Sequence, residues 1–109
     1  VNVRLYVLQR GSAALMMPLV LVHLAVIFYA SSHDLSAADI FARTRGSAFW
    51  GTFYALFVAA AAIHTAIGVR VIVAEWGGLR GAAPDLVMWS FGLLLAALGL
   101  TAVAAVVLA

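Results

Sequence analysis

"AAAAIHTAIGVRVIVAEW", residues 59–76, is an apolar run interrupted by His64, Thr65, Arg70 and Glu75. Upstream of it, no charged side chain occurs between Arg45 and Arg70, and His64 is the only histidine there. That stretch exceeds the roughly 20 apolar residues that cross a bilayer core. It predicts a transmembrane helix over 48–73. The same test applied outward finds two more. Between Arg10 and Asp34 the only imidazoles are His23 and His33, and after Asp85 there is no ionisable group. Spans over 11–31 and 86–108 are therefore predicted. The fold class is an all-α membrane protein with three transmembrane helices.

Composition agrees. Of the 109 residues, 67% are hydrophobic and 9% charged, the wrong balance for a small soluble domain and the right one for a chain solvated by lipid. With no cysteine, disulfides, thiolate metal sites and iron–sulfur ligation are excluded. The net charge of +2 comes from arginine alone and is too weak to indicate nucleic-acid binding. No Gly-rich phosphate loop, paired acids or Ser/His/Asp set points to a soluble enzyme.

The connections carry their own signals. "SSHDLSAADIFARTRGS", residues 31–47, is polar, and Ser36 suits the N-cap of a short surface helix through Ile40. "WGGLRGAAPD", residues 76–85, is a Gly/Pro loop in which Pro84 and Asp85 suit a helix start. Pro18 is expected to kink the first span. That span is longer than a signal h-region, and "YASSHDL" matches a cleavage site only loosely, so it reads as a membrane helix.

Three spans put the N-terminus and the second loop on one side, with Arg4, Arg10, Arg70 and Arg80; Arg43 and Arg45 face the other. The positive-inside rule then places the N-terminus in the cytoplasm and the C-terminus outside.

An ionisable group at membrane depth is a functional-site hypothesis by default. His64 has two readings. It glues helices through a hydrogen bond, or it ligates heme iron as a neutral imidazole. Ala60 and Gly68, one turn either side on the same face, leave room for a flat macrocycle or equally for another helix. His23 shares a helical face with Gln9, Ser12 and Met16 and has the same two readings. The two imidazoles differ in expected depth. His64 lies about 9 Å from the Arg70 edge, and His23 about 20 Å from Arg10 on the same side, at 1.5 Å per residue. One heme gripped by both is therefore disfavoured. His64 is expected to share its heme with another chain, and His23, if a ligand, to serve a second one.

These residues resemble a known family. "HTAIGVRVIVAEW" is similar to the second-helix signature of the cytochrome b membrane-anchor subunit of succinate dehydrogenase and fumarate reductase: His64, Gly68, Val69, Arg70, then an acidic–aromatic pair at Glu75 and Trp76. "LQRGSAALMM" resembles the first-helix His-Arg-x-Ser-Gly segment, with Arg10 and Ser12 matching, Gln9 in place of His and Ala13 in place of Gly. Tyr6 stands where the family has a serine one turn before Arg10. The resemblance covers nearly the whole chain and implies a single membrane-anchor domain over 1–109 within a larger helical bundle. It implies heme b, one or two shared with a partner chain, and a quinone as ligands. His64 would be an axial ligand of heme iron and His23 the candidate ligand of a second heme. Arg10 and Ser12 would meet quinone or propionate, and Arg70 a propionate. The implied partners are a flavoprotein subunit, an iron–sulfur subunit, and a second membrane anchor or another copy of this chain. The implied location is the inner (cytoplasmic) membrane.

The expected function is electron transfer between the iron–sulfur subunit and the quinone pool, with no dicarboxylate chemistry in this chain. The alternative is a cofactor-free structural or assembly subunit, in which the histidines only pack. A transporter is disfavoured, because the spans carry no acidic residue and no broken helix beyond Pro18.

Overall fold

The computed structural model describes residues 2–108. Four helices follow one another: α1 (Val3–Ser32), α2 (Ala37–Thr44), α3 (Ala48–Glu75) and α4 (Ala83–Val107). The three long ones are each long and apolar enough to cross a membrane. The molecule measures 49 × 24 × 22 Å. Its long axis matches a bilayer with its headgroup layers, about 40–45 Å.

Helix α1 starts at Val3, eight residues before the predicted span, because charge marks the edge of the apolar core and not the end of the helix. The Asn2 side chain caps it, accepting from Arg4 N at 2.9 Å and Leu5 N at 3.4 Å. The helix continues through Pro18 to Ser32. Helix α2 begins at the expected Ser36 cap and runs past Ile40 to Thr44. Ser36 Oγ accepts from Asp39 N at 3.2 Å and the Asp39 carboxylate accepts from Ser36 N at 2.9 Å, a complete capping box. Pro84 sits in the first turn of α4, where a missing N–H costs nothing.

Helix α3 packs against both α1 and α4 and lies between them, while α2 touches the end of α4. The buried apolar side chains among the described residues are few: Ala60, Ala62, Ala66 and Ile67 of α3, with Pro84 at the start of α4. Small residues let α3 and α4 approach closely. A Cβ on Gly99 would lie 2.5 Å from Val58 Cγ1, and one on Gly92 would lie 3.0 Å from Ala66 Cβ. At the α2 end, the buried Thr44 donates to the Val106 carbonyl at 2.8 Å, and Gly46 N donates to the Val107 carbonyl at 2.7 Å. Two carbonyls that the end of α4 leaves without helical partners are thereby satisfied. Large apolar side chains such as Leu21, Phe28, Leu86 and Leu93 point outward, as lipid or partner helices require.

Candidate functional site

The antiparallel α1/α3 pair brings the predicted residues into layers. Ser12 is buried at 7% exposure and its Oγ lies 3.3 Å from His64 Nδ1. The same hydroxyl donates to the Gln9 carbonyl, one turn earlier in α1, at 3.1 Å. The other ring nitrogen of His64, Nε2, has no hydrogen bond among the described residues and is not among the buried unpartnered atoms. It is therefore not fully buried. Gln9, Ser12, Met16 and His23 share the face of α1 that turns from lipid, as their spacing predicts, and all are buried or half-buried.

Gly68 faces Gln9, whose Nε2 lies 3.7 Å from where a Gly68 Cβ would stand, and Ala60 is covered at 3% exposure. Of the two occupants those small residues allow, a helix takes the place: α1 comes close at Gly68, and Ala60 is closed off within the chain. Gln9 Oε1 is buried without a partner. Gln9 is not among the site residues expected from sequence. Its place in the family-like segment and its shared face with Ser12 are the signals that point to it.

Arg10 is exposed, and its guanidinium carbon lies 5.8 Å from the centre of the Tyr6 ring. Ser12 and Arg10, paired in the sequence reading, thus diverge: Ser12 turns in to His64 and Arg10 stays at the surface. Arg70 Nε donates to Asp85 Oδ1 at 2.7 Å, joining α3 to the first turn of α4. No hydrogen bond from the Arg70 Nη groups occurs among the described residues. In sequence, Asp85 reads only as a helix-start residue; its bond to Arg70 is a tertiary feature.

His23 lies in another layer. It is about 16 Å along α1 from the Ser12–His64 layer at 1.5 Å per residue. Its ring meets Phe57 edge-on at 5.1 Å and Tyr54 at 6.0 Å, and its Nδ1 is buried without a partner. It lines a cavity of about 420 Å³ with Thr44, Tyr54 and residues of α4. Above it, Arg43 lies over the Trp50 ring at 4.1 Å and donates to the Tyr54 hydroxyl at 3.4 Å. Its Nη1 is buried and unpartnered. A second cavity, about 340 Å³ and lined only by apolar residues, lies over α3 toward the α3–α4 loop, between Leu5 and Leu8 of α1 and Trp89 and Leu93 of α4.

Among the described residues no three His, Asp or Glu side chains converge on one point. A heme asks less of a chain, since the macrocycle supplies four nitrogens and the protein only axial ligands. His64 meets that need: an imidazole with one nitrogen engaged and the other neither bonded nor fully buried. The chemistry of this imidazole therefore fits a heme.

The family model for succinate dehydrogenase/fumarate reductase transmembrane subunits matches residues 1–109. No curated protein and no solved structure matches the chain.

Proposed function

The chain belongs to the succinate dehydrogenase/fumarate reductase transmembrane subunit family and is a multi-pass membrane anchor; from that premise we propose that it holds a heme b through His64 and forms part of a quinone site. The observation that carries this reading is the His64 imidazole, with Nδ1 at 3.3 Å from the buried Ser12 hydroxyl and Nε2 unbonded and not fully buried. The second axial ligand comes from a second anchor subunit or another copy of this chain. Heme supplies one-electron redox chemistry when bound.

The residues of this chain contribute binding and charge. The free Nη groups of Arg70 suit a propionate carboxylate, which they meet as charge-assisted donors. Arg10 lies at the same end of the bundle and suits a quinone carbonyl or a propionate. The apolar cavity between Leu8 and Leu93 suits a quinone tail. Two-electron quinone reduction takes up two protons, and a headgroup at Arg10 lies where water reaches. With the N-terminus in the cytoplasm of an inner-membrane complex, this end faces the flavoprotein and iron–sulfur subunits, and electrons pass between the iron–sulfur subunit and quinone.

A second heme at His23 is supported by its unpartnered Nδ1 and the cavity beside it. His23 differs from His64 in lacking a hydrogen-bond partner on Nδ1. Ligating histidines almost always donate their other N–H, so His64 is the stronger ligand of the two.

The test is a reduced-minus-oxidised spectrum of the purified complex, with heme counted per copy of this chain. His64→Ala is expected to lose a b-type band while the complex remains assembled. A separate loss in His23→Ala would establish two hemes. A wild-type complex without any b-type band returns the chain to a cofactor-free structural role.

A further inference from the structure

We propose, resting on heme ligation by His64, that Ser12 is a positioning residue that sets the tautomer and orientation of His64 and through them the potential of the heme. A serine hydroxyl has one proton. Here that proton goes to the Gln9 carbonyl at 3.1 Å, the shorter of the hydroxyl's two contacts. What Ser12 turns toward His64 is then a lone pair, and the partner it accepts from is Nδ1–H. At 7% exposure, Ser12 is closed to water that would otherwise offer another proton.

The tautomer with the proton on Nδ1 leaves its lone pair on Nε2, the nitrogen that is unbonded and not fully buried. An imidazole bound to iron through Nε2 has its proton on Nδ1 and needs an acceptor there. The relay His64 Nδ1–H to Ser12 Oγ–H to Gln9 C=O keeps both contacts of the Ser12 hydroxyl at once, which only this tautomer does. With the opposite tautomer, Ser12 would have to turn its single proton from the Gln9 carbonyl to Nδ1. His23 is the internal comparison: it is packed between the same two helices, but its Nδ1 has no partner.

Two consequences follow from the relay. An acceptor on Nδ1 pushes electron density toward Nε2 and makes the imidazole a better donor to the oxidised iron. Removing it is expected to move the midpoint potential upward. The same bond fixes the ring about its Cβ–Cγ axis, so its loss also frees the plane of the ligand relative to the macrocycle.

The experiment compares the assembled complex of wild type, Ser12→Ala, Ser12→Cys, Ser12→Thr and His64→Ala. Heme content, a redox titration of the b-type band and the electron paramagnetic resonance g-values of the oxidised heme are measured. Ser12→Ala is expected to keep its heme, with a higher midpoint and a shifted highest g-value; Ser12→Thr, which keeps the hydroxyl, restores both. Ser12→Cys, close in size and a weaker acceptor, is expected to move the midpoint in the same direction by less. It serves as the readout if Ser12→Ala does not assemble. Heme-replete Ser12→Ala or Ser12→Cys with the wild-type midpoint and g-values overturns the inference while leaving heme ligation intact. A wild type without heme, or His64→Ala with heme undiminished, overturns ligation by His64 and the role of Ser12 together.

Discussion

Arg70 and Asp85 are joined by one short bond, Nε to Oδ1 at 2.7 Å, that fastens the last turns of α3 to the first turn of α4 across the Gly-rich loop. The pair is partly exposed, at 28% and 54% of its side-chain surfaces. A surface pair of this kind is worth about 0–1 kcal/mol. Asp85 also lies in the first turn of a helix, where a negative charge meets the positive end of the helix dipole.

The pair separates the structural from the cofactor role of Arg70. Asp85→Asn is expected to change the thermal stability of the complex little and leave the heme potential near wild type. Arg70→Ala is expected to shift the potential, because a propionate then loses its cation. Equal effects of the two substitutions on the potential would tie Arg70 to Asp85 alone.

Arg10 gives a prediction of a different kind. Removing a headgroup contact weakens quinone turnover and leaves the heme in place. Arg10→Ala is expected to lower quinone reductase activity by about 10-fold or more, the loss of one charge-assisted hydrogen bond of about 1.5–3 kcal/mol. Succinate oxidation with an artificial acceptor is expected to persist. Steady-state assays with both acceptors decide it. An unchanged quinone rate would move the headgroup elsewhere.

Gly99 tests the packing. A methyl group there would lie 2.5 Å from Val58 Cγ1 and 2.9 Å from Cγ2, and valine has little rotamer freedom in a helix to move away. Gly99→Ala is expected to destabilise the fold by about 1–3 kcal/mol, the range for overpacking. Adding Val58→Ala should recover much of that loss. A thermal or denaturant titration in detergent shows whether the two effects couple; simple additivity would mean that α3 and α4 meet elsewhere.

Asp39 sets a pH dependence for α2. Its backbone bond from Ser36, then the side-chain bond to Ser36, hold its carboxyl below the usual aspartate range. A carboxyl depressed in the folded state stabilises the fold above its unfolded value, and this contribution is lost as pH falls through the folded one. The α2 cap is therefore expected to be intact at neutral pH and to fray as pH falls below the usual aspartate range. Hydrogen exchange of the first α2 amides against pH should show this. Asp39→Asn should open the same amides at neutral pH.

Much of the architecture is legible in the sequence because the membrane imposes it. A backbone without water must close its hydrogen bonds within one helix, so uninterrupted apolar runs between charges identify spans. The caps at Ser36 and Pro84 are equally local, since each depends on residues within one turn. The first helix boundary is not: Arg4 and Arg10 lie outside the apolar core yet inside α1.

The sequence by itself determined three spans, the short helix between the first two, and which polar side chains lie at membrane depth. Only the tertiary structure decided what those side chains meet. It put α3 between α1 and α4, turned Ser12 in to His64 while Arg10 stayed at the surface, gave Gly68 to α1, and supplied Asp85 to Arg70. The physical reason is the composition of the long helices. Each is apolar around its whole circumference, so polarity alone marks no inward face. Facing and register are set instead by fit between small residues and by single buried polar pairs such as Ser12 and His64, 52 positions apart in sequence.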